Sequence, residues 1–427
     1  MTFTPSILHL AQSDSEGGAN KAAFRLHRAL QRQAITSTFH AGRVLRADAQ
    51  APAARAAWLG LEGSRIAAFL NAAPLRLYAQ RTREPFSPSI LSYGRIDPAL
   101  LSRADVVCLH WVAGAFLRPA QLRSIGRPIV WRLSDLWPFT GGCHYPGACR
   151  GFEQACGACP SLGSRHDKDL SRIGFRQRER AYPDLDLTVV APSRWIGEEA
   201  RRSSLFAGCR IEHIPTGIDL SVFRRCDKAK ARAHFGLPQD ARIILFGALG
   251  ALSDARKGFP AFGETMERLR TFEPEANVAV ALFGGGAAEA PESIGGFPVH
   301  NVGRLDSEEE LARLYSAADL LVAPFLEDNL PNVVLEALGC GLPVAAFAAG
   351  GIPDAVVPGE SGALAPTGDT QALAGEIAGL LARPGSLADL GEGARRMAEE
   401  RFDLEVCAKN YAALFRELAG DRRAPSA

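Results

Sequence analysis

The sequence predicts an α/β protein with two doubly wound domains, each built on a mostly parallel sheet. Short β-branched runs alternate with amphipathic helical stretches along the chain, and the runs end at polar or glycine residues, as buried parallel strands do. A length of 427 residues exceeds what a single core usually organises, so two or three domains are expected.

The first half contains four predicted strands, at residues 7–11, 106–110, 129–133 and 187–191. The first strand is followed by the small-residue turn Glu16, Gly17 and Gly18 and then by a helical stretch. The glycines either allow a ligand to approach the backbone or make a tight turn. This half is predicted to form an N-terminal domain at 1–215.

The second half repeats the alternation, with predicted strands at residues 242–249, 278–286, 297–303, 319–326 and 343–351. The join lies within residues 214–238, where turn residues interrupt the pattern and charges cluster. We expect a second α/β domain at 216–400, a last helix at 401–420 and a disordered polar tail at 421–427.

Charge and hydropathy exclude several classes of protein. The 48 basic and 47 acidic residues leave a net charge of +1, so no nucleic-acid footprint is indicated. The N-terminus lacks a basic segment followed by a long apolar one, and no run of eighteen apolar residues occurs. A cytoplasmic protein without membrane spans is expected.

The stretch EDNLPNVVLEALGCG places two acids, Asp328 and Glu336, around the end of a predicted strand and the helix after it. The strand is predicted to end at Leu326, and Asp328 or Asn329 to cap the helix. Pro331 suits the first turn, and a glycine ends the helix at 339 or 341.

This arrangement suits a sugar joined to a nucleotide. A helix start offers free N–H groups and a positive dipole end to a phosphate. A carboxylate would repel a phosphate, so each acid is better placed to accept hydrogen bonds from sugar or ribose hydroxyls. An N-cap Asp and a surface Glu are the alternative interpretation.

Arg256 and Lys257 follow the first strand of the second half, within DARKGF. A guanidinium and an ammonium there could clamp a diphosphate, although a charged turn is often merely solvated. Neither a G-x-x-x-x-G-K-[ST] pattern nor a complete G-x-G-x-x-G is present.

Together these motifs resemble glycosyltransferase family 4, in particular the bacterial colanic acid and exopolysaccharide transferases. The resemblance runs from residue 7 to about residue 373 and rests on motifs in the family's order. They are EGGANKAAFRLHRAL, HWVAGAFL, LSDLWPFTGGCHYPGACRGFEQACGACPSLG, VAPSRW, IPTGID, DARKGF and EDNLPNVVLEALGCGLPVAAFAAGGIPDAV.

The resemblance implies a GT-B fold, in which two Rossmann-like domains face each other across a cleft and the last helix crosses back to the N-terminal domain. The N-terminal domain would bind the acceptor and the C-terminal domain the nucleotide-sugar donor. Glu336 would hold the ribose and Asp328 the transferred sugar. The implied donor-binding residues are Gly17, Gly18, Arg256, Lys257, Asn329, Leu330, Asn332 and Glu336.

The resemblance also implies transfer with retained anomeric configuration and without a cofactor, in which the leaving phosphate accepts the acceptor's proton. Asp135 is the candidate for orienting the acceptor, and an N-cap is the alternative. The chain departs from the family at two places. Glu327 and Asp328 stand where most members have one Glu, and Ser134 precedes Asp135 where a histidine is usual.

His110, at another strand end, is the candidate for the missing histidine; a structural role is the alternative. Asp328 and Glu336, together with Asp135 and His110, are the predicted catalytic residues.

Four cysteines fall within seventeen residues in an insertion at about 141–166, spaced C-x5-C-x6-C-x2-C: Cys143, Cys149, Cys156 and Cys159. Four thiolates can hold one structural zinc, with His144 or His166 as substitutes. A redox pair, an iron–sulfur ligand set or incidental reduced thiols are alternatives. A catalytic zinc is not expected, because four thiolates leave no open position.

Residues 42–83 interleave seven arginines with large apolar residues. They predict either an amphipathic element on anionic lipid, at the inner face of the cytoplasmic membrane, or a helical hairpin packed on the domain.

The leading hypothesis is a retaining hexosyltransferase that uses a nucleoside-diphosphate sugar and a saccharide acceptor, lipid-linked or not, in surface or exopolysaccharide biosynthesis. The alternatives are a catalytically weak scaffold subunit and a GT-B-like epimerase or phosphorylase. The donor base stays open at this point.

Overall fold

In the computed structural model, the chain forms two compact units, Met1–Gly217 with Glu405–Ala427, and Ile218–Leu404. The structure describes residues 4–45, 60–82, 84–247, 250, 254–285, 291–383 and 385–421. The predicted tail beyond residue 421 therefore lies outside the described residues. No helix of these ranges is both long and apolar enough to cross a bilayer.

The first unit alternates strands and helices. Its elements before the crossing to the second unit are β1 Ser6–Ser13, α1 Gly17–Arg32, β2 Thr36–Arg43, α2 Gly60–Ala72, α3 Pro98–Arg103, β3 Val106–Leu109, α4 Pro119–Leu122, β4 Ile129–Arg132, α5 Leu170–Ala181, β5 Leu187–Ala191, α6 Arg194–Arg202 and β6 Arg210–His213.

The second unit repeats this alternation, and one more helix follows it. The elements are α7 Lys228–Phe235, β7 Arg242–Gly247, α8 Phe259–Phe272, β8 Val278–Phe283, β9 Ser293–Ile294, β10 Phe297–Gly303, α9 Glu308–Ala317, β11 Leu320–Ala323, α10 Asn332–Gly339, β12 Val344–Phe347, β13 Gly362–Ala365, α11 Thr370–Ala382, α12 Ser386–Arg401 and α13 Leu404–Asp421.

The sheet of the first unit has six parallel strands in the order β2-β1-β3-β4-β5-β6. The order reverses at β1, so the carboxyl ends of β1 and β3 flank a topological switch point. The four predicted strands are present. Two further strands, β2 and the edge strand β6, were not predicted; the side chains of β6 are half-buried or exposed and leave no apolar run.

The sheet of the second unit has seven strands in the order β13-β12-β11-β7-β8-β10-β9. All neighbours are parallel except the short β9, which pairs antiparallel with β10. The buried faces of β7, β8, β11 and β12 are continuous apolar runs, as expected for strands covered by helices on both sides. The switch point lies between β7 and β11.

Helix α13 packs with the first unit. The ring of its Phe415 lies 6.3 Å from the ring of His9 on β1. Arg32 of α1 bonds Glu405 at 2.7 Å, and Arg210 of β6 forms an ion pair with Glu417. The sheet face around His9 is therefore covered by residues that come last in the chain.

Two predicted boundaries around the acidic loop are wrong. The strand predicted to reach Leu326 ends at Ala323, because Pro324 has no N–H to continue the ladder. Helix α10 begins at Asn332 with Pro331 as its N-cap and no side-chain cap, so neither Asp328 nor Asn329 caps it. Its end at Gly339 agrees with the prediction.

Candidate functional site

Three loops meet at the carboxyl edge of the second sheet, after β7, β11 and β12. Strands β7 and β11 are parallel neighbours, and so are β11 and β12. Carboxyl ends of parallel strands lie on one edge, and the switch point between β7 and β11 is where ligands of such sheets bind. Both predicted acids and both predicted cations lie on these loops or on the helix that follows.

Gly258 lets the first loop reach the second. It has φ +69°, and a Cβ on it would stand 1.9 Å from the carbonyl oxygen of Pro324. Beside it, the N–H of Leu326 donates to the carbonyl oxygen of Arg256 at 2.8 Å. A side chain at 258 would push the two loops apart.

Gly350 does the same between the second and third loops. It has φ +55°, and a Cβ there would lie 1.8 Å from the carbonyl oxygen of Asp328. The next N–H, of Gly351, donates to that oxygen at 3.0 Å. The loop that carries Asp328 is thus in close backbone contact with the first loop at Gly258 and with the third loop at Gly350.

Lys257 and Asp328 form an ion pair across these loops. Lys257 Nζ lies 2.5 Å from Asp328 Oδ2, and the two side chains are 16% and 11% exposed. The ammonium also sits 4.5 Å from the centre of the Phe325 ring. Glu327, by contrast, is partly exposed. The first predicted acid that faces inward here is therefore Asp328.

Arg256 is held by its own turn. Its Nη2 lies 2.6 Å from Asp254 Oδ2, and its N–H donates to Asp254 Oδ1 at 3.1 Å. The guanidinium is largely buried, with 13% of the side chain exposed. The alternative interpretation of this segment was a freely solvated charged turn, and the burial of Arg256 does not agree with it.

Glu336 lies in the second turn of α10 and is only 4% exposed. The hydroxyl of Tyr315, on α9, donates to its Oε2 at 3.1 Å. A buried carboxylate with a tyrosine partner is not the surface Glu of the alternative interpretation. Around it, Leu330 and Asn329 are buried and Asn332 is partly exposed at the first position of the helix.

Sequence reasoning missed Tyr315, Gly258 and Gly350 as parts of this site. The sequence does contain a signal for the two glycines, since each lies in a motif that follows a strand, Gly258 in DARKGF and Gly350 in AAGG. Tyr315 had none, because it sits inside the apolar pattern of α9 and reaches Glu336 only through helix packing.

In the first unit, Gly17 opens α1 with φ +77°, and a Cβ there would meet no atom within 4 Å. The positive φ is a sufficient reason for a glycine at this position, and this is what the tight-turn interpretation expects. Gly18 follows within the first turn. Next to them, Glu16 forms an ion pair with Arg43 of β2.

His110 is almost fully buried, and its Nε2 lies 2.9 Å from His9 Nδ1. Burial, then the neighbouring charge of Arg132, lowers its pKa well below the usual value. The buried ring stacks on that of His9, with the ring centres 5.2 Å apart, and its catalytic role stays a prediction. Together with Cys108 these histidines place three ligand atoms within 4.8 Å of one another.

Asp135 follows β4 and is buried. Its Oδ1 accepts the N–H of Trp137 at 2.9 Å, and its Oδ2 accepts Trp111 Nε1 at 2.8 Å and lies 2.6 Å from His144 Nδ1. Both oxygens are therefore engaged by the protein. Asp135 thus holds the backbone at Trp137 and the ring of His144, and its role toward an acceptor stays a prediction.

The four cysteines of the insertion are free thiols near one another. Cys143 and Cys159 pack in one small apolar cluster. Burial, then the thiols of Cys159, Cys156 and Cys149, raises the pKa of Cys143. Among the described residues, the group with ligand atoms within 4.8 Å of one another consists of His9, Cys108 and His110, and it includes none of these four cysteines. Zinc binding stays a prediction.

Part of the arginine-rich stretch is described. On α2 and the turn after it, large apolar side chains are exposed: Ile66, Phe69, Leu70 and Leu77, the last at 83%. The guanidinium of Arg76 lies 5.0 Å from the centre of the Phe69 ring. Residues 46–59 and 83 of this stretch lie outside the described residues.

Part of this chain is similar to known proteins. Residues 243–383 match the family model described as glycosyl transferases group 1, and that range contains all three loops. A D-inositol 3-phosphate glycosyltransferase 2 of Catenulispora acidiphila is 35% identical over 228 residues, 50% of this chain and 52% of that protein. One of Segniliparus rotundus is 32% identical over 226 residues, 51% of this chain and 49% of that protein.

Solved structures match over nearly the whole chain. Sucrose-phosphate synthase of Thermosynechococcus elongatus aligns with a TM-score of 0.65 and 21% identity, over 97% of this chain and all of that one. The chain has the GT-B fold. HepE of Anabaena, solved in complex with UDP, aligns with this GT-B chain at a TM-score of 0.60 and 16% identity, over 96% of this chain and 100% of that one. The chain spans about half the length of the curated relatives it matches.

Proposed function

We propose that this GT-B protein is a glycosyltransferase that moves a sugar from a nucleoside-diphosphate sugar to a hydroxyl acceptor. The supporting observation is the convergence of three strand-end loops on Lys257, Asp328 and the start of α10, inside the range that matches group 1 glycosyltransferases. Amide groups, cations and inward-facing carboxylates are what a sugar diphosphate needs.

In this proposal Lys257 exchanges partners. In the structure its ammonium is paired with Asp328 at 2.5 Å. A bound diphosphate offers more negative charge to the same ammonium, while Asp328 then accepts hydrogen bonds from sugar hydroxyls. Arg256, oriented by Asp254, adds the second positive charge on the leaving diphosphate.

Glu336 is proposed to accept the ribose hydroxyls, with Tyr315 holding one of its oxygens. Transfer with retention needs no protein nucleophile, because the departing phosphate can accept the acceptor's proton. The chain then contributes position and charge stabilisation, and no metal takes part in the step.

The donor base is proposed to be uracil. HepE is solved with UDP and, in another structure, with UDP-glucose, which favours a uridine donor as the first choice.

Two classes of acceptor remain. The motifs between residue 7 and about residue 373 resemble those of exopolysaccharide transferases, which favours a saccharide or lipid-linked saccharide in surface polysaccharide biosynthesis. The relatives named D-inositol 3-phosphate glycosyltransferase favour a small phosphorylated polyol. With a lipid-linked acceptor, the exposed apolar side chains of α2 and the arginines beside them would contact the inner membrane face.

A transfer assay tests the proposal. The full chain is incubated with UDP-, GDP- or ADP-sugars and either inositol 3-phosphate or lipid-linked saccharide extracts, and release of nucleoside diphosphate is measured with product mass. We expect release with one nucleotide family, lost in Glu336→Ala with the fold intact. Full turnover in that variant would show the site assignment to be wrong. An altered free sugar nucleotide would indicate an epimerase, and binding without turnover a scaffold.

A further inference from the structure

Two histidines and a cysteine meet on one face of the first sheet, outside the candidate site. His9 on β1 and Cys108 on β3 are partners in the register of these two parallel strands. His110 follows Cys108 by two residues, and its N–H still donates to the carbonyl oxygen of Leu10 at 3.0 Å. Because the side chains of a strand alternate between its two faces, all three side chains lie on the same side of the sheet.

The potential ligand atoms of these residues are close together. One ring nitrogen of each histidine and the Sγ of Cys108 lie within 4.8 Å of one another. His9 Nδ1 is 2.9 Å from His110 Nε2, and a hydrogen bond between two neutral rings uses a single proton, so one of these nitrogens is a bare acceptor. Imidazole nitrogens and a thiolate are donors that bind soft metal ions.

The outer ring nitrogens of the two histidines show that this pair is costly for the fold. His9 Nε2 and His110 Nδ1 are buried, and neither has a hydrogen-bond partner among the described residues. Whichever histidine donates to the other, one outer nitrogen carries a proton that has no acceptor, and this destabilises a protein interior. Apolar side chains would avoid the cost, so the histidines indicate a role other than packing.

The cluster is closed off from water. His9 and Cys108 are fully buried, and His110 is 1% exposed. The ring of Phe39 lies 6.2 Å from that of His9, and the ring of Phe415, on α13, lies 6.3 Å from it. Helix α13 is the last helix of the chain, so an ion can enter before this helix docks. Once bound, the ion would be held between β1 and β3 beneath α13.

The charge around the cluster favours a monovalent ion. Arg132, buried on β4, donates to the hydroxyls of Ser134 at 3.2 Å and Thr216 at 2.6 Å, and its positive charge acts on His110. Cu⁺ with one thiolate and two neutral imidazoles has no net charge, whereas Zn²⁺ would leave a buried positive charge beside this guanidinium. Structural zinc also takes four ligands, and this cluster supplies three.

We propose that His9, Cys108 and His110 form a three-coordinate site for Cu⁺ in the first unit. The Cys108 thiol releases its proton as its sulfur bonds the ion. The facing nitrogens exchange their hydrogen bond for bonds to the ion, and the ring that donated moves its proton to its outer nitrogen. The ion then ties β1 to β3. In this role His110 is a ligand and does not touch a donor sugar. The proposal does not rest on glycosyl transfer.

Copper binding to the full chain tests the proposal. The chain is refolded from urea with Cu⁺ in the absence of oxygen, excess copper is removed with bathocuproine disulfonate, and the remaining copper is measured by elemental analysis. The cysteines of the insertion can also bind Cu⁺, so the comparison is between variants. Cys108→Ser and His9→Gln should each carry one equivalent of copper less than the natural chain.

Thermal unfolding gives a second measurement. Tryptophan fluorescence reports the first unit, since every tryptophan lies there. Copper should raise the thermal midpoint of the natural chain, because an ion that binds the folded state stabilises it, and the rise should be smaller in both variants. Circular dichroism without copper verifies the fold of each variant.

Cys209→Ser is the matched control, because Cys209 is a partly exposed thiol of the same unit outside the cluster. Its copper content should equal that of the natural chain. X-ray absorption of a Cys156→Ser chain should still show imidazole nitrogens around copper. Equal copper in Cys108→Ser and the natural chain, or a shell of sulfur alone, would overturn the proposal. Zinc in place of copper, lost in Cys108→Ser and His9→Gln, would overturn the choice of ion.

Discussion

At the residue scale, the ion pair between Lys257 and Asp328 decides how the candidate site responds to a ligand. The two charges are close and mostly withdrawn from water. Removing one of them leaves the other buried without its partner, which costs more than the pair gains. In the proposed function, a diphosphate draws the ammonium toward itself, and Asp328 then accepts hydrogen bonds from water or, with a nucleotide sugar, from the sugar hydroxyls.

We expect Lys257→Ala to weaken binding of UDP about ten- to a hundredfold, since a hydrogen bond to a charged group contributes about 1.5–3 kcal/mol. Binding of uridine, which has no phosphate, should change much less. Isothermal titration calorimetry with both ligands gives the two Kd values.

Lys228→Ala provides the control for this variant. Lys228 Nζ also lies 2.5 Å from a buried carboxylate, that of Asp319, but this pair stands at the amino end of β11. UDP affinity should be unaffected there. An equal loss in both variants would show that the effect comes from general destabilisation and not from a phosphate contact.

Tyr315→Phe tests the orientation of Glu336. The change removes one hydroxyl and leaves a buried carboxylate oxygen with one donor fewer. We expect the free energy of unfolding to fall by about 1–2 kcal/mol and the KM for the donor to rise, with a smaller change in kcat. Urea unfolding and donor-dependent kinetics measure the two effects; unchanged values of both would contradict the assigned contact.

At the element scale, the site depends on loops that approach backbone to backbone. We expect Gly258→Ala and Gly350→Ala each to reduce the free energy of unfolding by more than about 2 kcal/mol. The new Cβ would stand 1.9 Å or 1.8 Å from a carbonyl oxygen, and both positions have positive φ. Chemical denaturation of the variants measures the loss.

The matched control is Gly375→Ala, within α11. Its Cβ would meet nothing within 4 Å, and the residue lies in a helix interior. Alanine there should stabilise the protein by about 0.5–1 kcal/mol. Destabilisation at all three glycines would mean that the loop contacts are not the cause.

The zinc prediction also belongs to this scale. Protein purified from zinc-containing medium should carry about one equivalent of zinc by elemental analysis, and Cys156→Ser should lose it. Cys226→Ser, at an exposed thiol of the second unit, should retain it. Metal-free protein with a normal thermal midpoint would show that the four cysteines are ordinary reduced thiols.

The sequence predicted those elements whose signal is local. Buried parallel strands leave apolar runs, so the central strands of both sheets were found, and the strand-end position of Asp328 and Lys257 followed from them. Cap and partner contacts were not predictable in the same way. Tyr315 and Glu336 are 21 residues apart and meet only because α9 packs beside α10. The cap expected at Asp328 failed because its backbone is held by Gly350 and Gly351 instead.

At the scale of the whole molecule, the two units should respond differently to acid. His9, His27, His40 and His110 are buried in the first unit, and burial lowers the pKa of each, that of His27 to about 4. The unfolded chain binds protons at these sites near pH 6.5, whereas the folded chain does not. With respect to these histidines, the free energy of unfolding of the first unit is therefore highest above pH 6.5 and decreases as the pH falls toward 4.

We expect the free energy of unfolding of the first unit, measured by urea titration, to decrease between pH 7.5 and pH 5, by up to about 1.4 kcal/mol per pH unit for each histidine. Tryptophan fluorescence reports this unit alone, since all five tryptophans precede residue 218. His27→Gln should reduce the slope. His234→Gln, at an exposed histidine of α7, should leave it unchanged; an equal slope in both variants would contradict the assignment.

The division of the chain also sets the order in which a ribosome can deliver finished units. The second unit is continuous, and its ends are joined by hydrogen bonds from the N–H of Ile218 to Phe402 and from the N–H of Leu404 to Ile218. The first unit lacks Phe415 and the rest of α13 until the whole second unit has been synthesised. Domains usually fold in the order in which they emerge. Here the first unit gains α13 only after the second unit has emerged, so its histidine-lined sheet face is without that helix during this part of translation.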